Sequence, residues 1–323
     1  MSRLTVVGAG SWGTALAIAL APKFNRVDLW ARDASLVAAM QATGENGRYL
    51  PGFLLPANVT PVTSLEGSAD YVLNVVPSQH TREIFGRLSI PAGARLVSAS
   101  KGIEKGSLRR VSEVITEVTA RPVAVLSGPS FAKEVASGEP AAMVVAAADA
   151  GLAAAVQEAF STPLFRLYRS ADAVGVELGA SLKNVIAIAA GVVQGLGLGS
   201  NTRAALIARG LAEITRLAVA MGAEARTLSG LAGLGDLVLT CTGELSRNRR
   251  VGIELARGRL LADILKEMGM VAEGVDTTAA ALELAARHQV EMPIAAQVAV
   301  LLNAEVLPAE AIRQLMVRSL KSE

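Results

Sequence analysis

A buried, β-branched run that ends in glycines and turns at once into an alanine-rich helix constrains this chain more than any other feature. It reads Leu4-Thr5-Val6-Val7-Gly8-Ala9-Gly10-Ser11-Trp12-Gly13-Thr14-Ala15-Leu16. Glycines at G-x-G-x-x-G spacing also occur in ordinary turns, but a preceding strand and a following helix are the context a dinucleotide site requires. Gly8 permits the tight turn, Gly10 lets the backbone approach a pyrophosphate, and Gly13 lets the helix pack closely on the strand. The unpaired N–H groups and positive dipole end of the helix then hold the pyrophosphate.

A chain of 323 residues is long for a single core, so two domains are expected. Its hydrophobic share is 51% but aromatic residues are only 3%, which favours closely packed helices and parallel strands over an aromatic-lined barrel. Lys+Arg 31 against Asp+Glu 29 leaves +2, a balance that argues against nucleic acid as a partner and makes any anion affinity local. Cys241 is the single cysteine, which fits a reducing cytosol and removes a Cys-based metal site. No metal-ligand constellation is expected. The strand starting at Leu4 follows Met1-Ser2-Arg3 with no signal-peptide pattern. The most apolar run, Val185 to Leu198, is shorter than about 20 residues and carries Gln194, so it reads as a buried helix and not as a membrane span.

Further strands are expected at Arg26 to Ala31, Asp70 to Val76, Arg95 to Ser100, Pro122 to Leu126, Ala141 to Ala148 and Leu164 to Arg169, the last two as antiparallel additions. Thr43 to Pro61 reads as an ordered loop. Ligands in open α/β sheets gather at the carboxyl ends of strands. There stand Arg32-Asp33, Pro77-Ser78, Lys101-Gly102 and Ser127-Gly128-Pro129-Ser130. Arg32 lies about 20 residues after the glycines, where an acid suits NAD and an arginine can pair with the 2′-phosphate of NADP. It leans toward NADP(H), with NAD(H) still open; a solvated loop arginine is the plainer alternative. Asp33 and Ser130 both read as N-caps of the helices that follow.

Beyond Ser170 the pattern is helical, with the boundary placed inside a helix between Asp172 and Leu182. Lys183 sits amid apolar residues on that helix. An unpaired buried lysine answers burial with a lowered pKa and becomes available for proton transfer, whereas a surface lysine would snorkel. Asp236 follows Gly233 and Gly235 and is placed to bond Lys183 or a substrate hydroxyl, or to cap a helix. Ser246-Arg247-Asn248-Arg249-Arg250 concentrates three guanidinium groups, which suit an oxyanion such as phosphate or, more plainly, a solvated face. Val271 to Val275 reads as a short strand-like interruption.

Taken with Val76-Pro77-Ser78, Lys101-Gly102, Ser127 to Glu134, Leu182-Lys183-Asn184-Val185, Gly233 to Cys241 and Ser246 to Arg250, the glycine motif gives a chain that resembles the bacterial-type NAD(P)-dependent glycerol-3-phosphate dehydrogenases. The matches run in order through most of the sequence. The resemblance implies an α/β Rossmann-type N-terminal domain (1–175) and an all-α, 6-phosphogluconate-dehydrogenase-like C-terminal substrate domain (176–323), with the active site between them. It implies reversible reduction of dihydroxyacetone phosphate to sn-glycerol 3-phosphate for glycerophospholipid synthesis, in the cytoplasm, by a homodimer.

Carried over by motif, Gly8, Gly10, Ser11, Trp12, Gly13, Arg32, Lys101 and Ala132 bind cofactor, Val271 and Glu273 close over it, and Arg247 also reaches it. Lys101, Gly128, Ser130, Lys183, Asp236, Ser246, Arg247 and Asn248 hold substrate, with Lys183 the proton donor. Ser130 stands where threonine is common and keeps the hydroxyl; Trp12 stands where tyrosine is common and keeps an aromatic. A related 3-hydroxyacid dehydrogenase would share the N-terminal half but lack the Asp236 to Arg250 combination. A non-catalytic NADP-binding regulatory protein would keep the glycines and lose Lys183.

Overall fold

The computed structural model describes residues 2–65, 68–269 and 271–319. The chain forms two compact units, Met1–Lys101 with Arg109–Val176, and Gly102–Leu108 with Glu177–Glu323.

In the first unit, strands alternate with helices. They are β1 (Arg3–Val7), α1 (Ser11–Leu20), β2 (Arg26–Trp30), α2 (Ala34–Thr43), β3 (Val59–Val62), β4 (Tyr71–Asn74) and α3 (Thr81–Arg87). Then come β5 (Arg95–Ser98), α4 (Val111–Thr119), β6 (Val123–Ser127), α5 (Ala132–Ala136), β7 (Ala141–Ala146), α6 (Ala150–Phe160) and β8 (Phe165–Ser170). The sheet order is β3-β2-β1-β4-β5-β6-β7-β8. Strands β1 to β6 are parallel, β7 runs antiparallel to β6, and β8 is parallel to β7. Both late strands thus oppose the rest of the sheet, as the sequence suggested. The expected loop over Thr43 to Pro61 ends earlier, because Val59–Val62 forms β3. Pro61 there is tolerated because β3 is an edge strand.

Helices cover both faces of the sheet. Val6 and Leu73 pack with Leu16 of α1 and Phe160 of α6, whereas Val7 and Val72 pack with Phe85 of α3 and Ile115 of α4. That is why the strands read as unbroken apolar runs, since alternate side chains enter two different cores. A cluster of edge-to-face rings, Phe24, Tyr71 and Phe160, fills the first core with centroids 5.4–5.8 Å apart. Strand order reverses between β1 and β4, which creates the crevice where such sheets bind ligands.

The second unit is helical. It holds most of α7 (Ala173–Gly195), then α8 (Ser200–Ala220), α9 (Ala225–Leu228), a π-helical turn (Leu231–Gly235), α10 (Asp236–Thr242) and α11 (Arg247–Ala256). It ends with α12 (Leu261–Met268), α13 (Glu273–Arg287), α14 (Pro293–Leu302) and α15 (Pro308–Met316). By length and composition α7 could cross a membrane, but 94% of its most apolar window is buried inside the protein. Its apolarity serves a core. Backbones of α7 and α11 touch: a Cβ on Gly252 would lie 1.9 Å from the Ile188 carbonyl oxygen, and one on Gly191 would lie 2.0 Å from that of Arg249. Only glycine permits that approach.

On α8, Glu213 is 2% exposed and accepts backbone N–H bonds from Ile294 (2.7 Å) and Ala295 (3.3 Å) at the start of α14. Burial pushes its carboxyl up to about 7, against the opposing pull of those N–H groups and of Arg216 and Arg318. Between the ordinary value of 4.5 and about 7 the folded state holds more protons than the unfolded one, so stability falls as pH rises through that window. Thermal unfolding from pH 5 to 8 should show a wild-type loss of roughly 3 kcal/mol that the Glu213→Gln variant lacks.

Candidate active site

Two clusters of functional side chains stand out, one in each unit. In the first, Gly8 adopts φ +118° and lies against the Val75 backbone, so the turn after β1 sits at the strand-order reversal. A Cβ on Gly13 would lie 1.8 Å from the Gly8 carbonyl oxygen. Helix α1 is therefore pressed onto its own turn. Gly10 is different: it is the N-cap of α1, has ordinary extended dihedrals, and a Cβ there would meet nothing within 4 Å. The open space above Gly10 is the room a pyrophosphate needs beside the first N–H groups of the helix. Ser11 and Trp12 are the first residues of α1. The Trp12 ring packs against the core, while its buried Nε1–H has no partner. A donor left this way calls for a ligand acceptor, so the residues present fit a dinucleotide.

The turn is braced from outside. Asn46 is fully buried; its Nδ2 donates to the Ala9 carbonyl (2.8 Å) and the Thr14 hydroxyl (2.7 Å), and its Oδ1 accepts from the Tyr49 N–H (3.2 Å). Sequence reading missed Asn46, because a side chain that bridges a sequence gap of 37 residues leaves no local signal. Arg32 is exposed just beyond β2 and has no hydrogen-bond or ion-pair partner among the described residues. Asp33 caps α2 as expected, accepting from the Ser35 and Leu36 N–H groups. The Ser35 hydroxyl bond and those N–H groups, with Arg48 at 3.1 Å, hold its carboxyl below the ordinary range.

At the ends of β5 and β6, Lys101 Nζ donates to the Gly128 carbonyl (3.3 Å). The same oxygen accepts the Ser130 hydroxyl (3.0 Å). Ser130 is consequently not the N-cap expected from sequence: Phe131 holds that position with no side-chain bond, and Ala132 opens α5. The hydroxyl is satisfied by the nearer carbonyl two residues back, which keeps it beside Lys101.

The second unit holds a buried ion pair. Lys183 is 5% exposed and Asp236 1%, and Lys183 Nζ donates to Asp236 Oδ1 and to Thr240 Oγ1, each at 2.6 Å. Of the partners expected for Asp236, Lys183 is the one it meets, and that pairing is how the lysine's charge is tolerated in the interior. Thr240 in turn donates to the Asp236 carbonyl (2.7 Å). It was missed in the sequence, although four residues from Asp236 on a helix is neighbour spacing. Asp236 follows the π-helical turn, whose Gly233 is indispensable because a Cβ there would lie 2.0 Å from the Leu228 carbonyl oxygen. Rare π-turns of this kind recur at functional positions. The neighbouring Cys241 thiol is pushed up to about 12 by burial, which keeps it protonated and unreactive.

The three expected guanidinium groups separate. Arg249 is buried and bonded to Gly243 and Gln194, and Arg250 pairs with Glu267 at 3.4 Å. Only Arg247 is accessible without a hydrogen-bond or ion-pair partner among the described residues. Protein packed around its guanidinium lowers its pKa, against the opposing charge of Glu273. Ser246 caps α11 through the Arg249 N–H (3.2 Å), and Asn248 Oδ1 accepts the Gly274 N–H (3.0 Å). That bond points the Asn248 amide nitrogen away from Gly274 and leaves it as a donor. The strand-like reading of Val271 to Val275 is corrected: Val271 and Ala272 lead into α13, which Glu273 begins. The Asn248 bond to its first turn supplies the cap that no local side chain provides.

Comparison with known proteins agrees along the whole sequence. Residues 3–153 match the family model for the N-terminus of NAD-dependent glycerol-3-phosphate dehydrogenase, and residues 172–313 match that for its C-terminus. The chain is 53% identical to a glycerol-3-phosphate dehydrogenase (NAD(P)+) of Geobacter sp. (strain M21), over 99% of this chain and 98% of that protein. It is 52% identical to the same-named protein of Koribacter versatilis (strain Ellin345), over 100% and 99%. The crystal structure of glycerol-3-phosphate dehydrogenase from Coxiella burnetii superposes with a TM-score of 0.94 at 42% identity, covering 98% of this chain and 99% of that one. This chain belongs to the NAD-dependent glycerol-3-phosphate dehydrogenase family.

Proposed function

We propose that this protein reduces dihydroxyacetone phosphate reversibly to sn-glycerol 3-phosphate, with NADPH preferred over NADH and Lys183 as the proton donor. The observation that carries this reading is the buried Lys183–Asp236–Thr240 cluster, because reduction of a ketone needs a proton delivered to its oxygen. When bound, the reduced nicotinamide supplies hydride to the substrate's carbonyl carbon. Asp236 keeps a proton on the Lys183 amine by proximity of opposite charge, and Thr240 fixes the direction of Nζ by accepting its second bond. As negative charge develops on the substrate oxygen, the Lys183 ammonium stabilises it and then gives up the proton. Lys101, which donates to the Gly128 carbonyl that also accepts the Ser130 hydroxyl, is assigned the stabilisation of that charge.

The phosphate is gripped by Arg247, the Asn248 amide, the Ser246 hydroxyl and the N–H groups at the start of α11. This remote grip supplies binding energy for orientation at the carbonyl. On the cofactor side, Gly8, Gly10, Ser11, Trp12 and Gly13 hold the pyrophosphate region and Arg32 takes the 2′-phosphate. Lys101, Ala132, Arg247, Val271 and Glu273 complete the cofactor contacts. The first unit, close to the expected 1–175, serves as the dinucleotide-binding domain, and the second, close to the expected 176–323 but with Gly102–Leu108 added, as the substrate domain. The product feeds glycerophospholipid synthesis in the cytoplasm, and the protein works as a homodimer.

Lys183→Ala should lower dihydroxyacetone-phosphate-dependent NADPH oxidation by roughly 10²–10⁴-fold while leaving NADPH binding, read by fluorescence titration, nearly unchanged. Retained turnover would remove Lys183 from the mechanism. Arg32→Ala should raise the KM for NADPH about tenfold and leave that for NADH within about twofold, as loss of one charge-assisted phosphate contact requires. Equal effects on both cofactors would place the 2′-phosphate elsewhere. Gly10→Ala should fold with wild-type stability but bind NADPH weakly, whereas Gly13→Ala should lose roughly 2–3 kcal/mol of stability because its methyl group has no room. A destabilised Gly10 variant would contradict the open cradle.

A further inference from the structure

Arg249 is 6% exposed, and a guanidinium does not shed its proton inside a protein. Its partners are neutral: Nε donates to the Gly243 carbonyl (3.0 Å) and Nη1 to Gln194 Oε1. No carboxylate among the described residues pairs with it. The other two cations of this unit's cluster are placed differently: Lys183 is paired with Asp236 at 2.6 Å, and Arg247 is exposed to solvent, with the opposite charge of Glu273 acting on it. Of these three, Arg249 is the buried cation whose partners among the described residues are all neutral. It lies in the same electrostatic environment, since the Cys241 thiol feels Lys183, Asp236 and Arg249 together. Burying such a charge is costly unless something of opposite sign offsets it.

The same residue holds the turn that presents the proposed phosphate grip. Its N–H meets the Ser246 hydroxyl, its Nε meets Gly243, and its Nη1 reaches α7 through Gln194. Its own carbonyl lies against Gly191 of α7. Ser246, Arg247 and Asn248 stand on a segment thus fixed at both ends.

We propose that Arg249 is a positioning residue for phosphate recognition, clamping the 243–249 turn to α7 while its unpaired charge attracts the dianionic phosphate of the substrate. The proposal rests on the reading of Arg247 and Asn248 as the phosphate grip. An exposed partner makes it separable from simple structural loss, because Gln194→Glu keeps the hydrogen bond to Arg249 and cancels its charge.

The test uses the full-length enzyme with inorganic phosphate as a competitive inhibitor against dihydroxyacetone phosphate. Gln194→Glu should raise both the KM for dihydroxyacetone phosphate and the phosphate inhibition constant about tenfold, with kcat and the KM for NADPH changed less than about threefold. Arg249→Gln should raise both constants at least as much, and Arg249→Lys should recover a clear part of the loss by restoring charge without the fork. An unchanged phosphate inhibition constant in Gln194→Glu, or an Arg249→Lys variant no better than Arg249→Gln, would overturn the proposal. Arg247→Ala separates the two levels: if it leaves phosphate inhibition unchanged, the grip itself lies elsewhere and both readings fall. If it weakens inhibition while the Gln194 and Arg249 variants do not, only the role of Arg249 falls.

Discussion

An ammonium and a carboxylate removed from water, Lys183 and Asp236, impose the strictest demand on the helical unit. Taking both ions from water costs several kcal/mol each, and their attraction offsets that only with close geometry and further hydrogen bonds. Much of the surrounding structure supplies these. Helix α7 delivers Lys183 from an apolar core, the π-helical turn with its Gly233 delivers Asp236 from another direction, and Thr240 takes a further bond. Removing either ion alone would strand the other, so the pair is expensive to assemble and expensive to break. The proton-donor role proposed for Lys183 would benefit from that rigidity.

Both units use the same device to bring backbones together, a glycine where any side chain would collide. In the Rossmann unit Gly13 lets α1 sit on the Gly8 carbonyl; in the helical unit Gly252 and Gly191 let α11 lie against α7. The consequence differs. The first contact presses the start of α1 onto its own glycine turn, and the second sets the distance from Lys183 to the turn bearing Arg247 and Asn248. Small residues are abundant and aromatic residues scarce, at 3%, because the architecture depends on close backbone approach more than on large side chains.

The fold was legible wherever a feature is local. The Leu4–Leu16 stretch carries strand, turn and helix in its own residues, and the apolar runs ending at Asn74 and Ser127 announce a sheet covered on both faces. Asp33 as a cap needed only its neighbours. Ser130 failed as a cap because a carbonyl two residues back competes for its hydroxyl, and Val271 to Val275 failed as a strand because the cap of α13 comes from Asn248 on another helix. At the site, Lys183 and Asp236 could be singled out by type and context. The pairing itself, Thr240, Asn46 and the sorting of Arg247 from Arg249 and Arg250 all depend on residues that meet only after folding.

Asn46 ties the segment after α2 to the glycine turn through Ala9 and Thr14, so that turn is not a portable cassette. A chimaera that imported residues 3–31 from a distant Rossmann protein would bring the glycines without their brace. The unit of exchange in this fold extends at least through Tyr49, whose own N–H completes the latch.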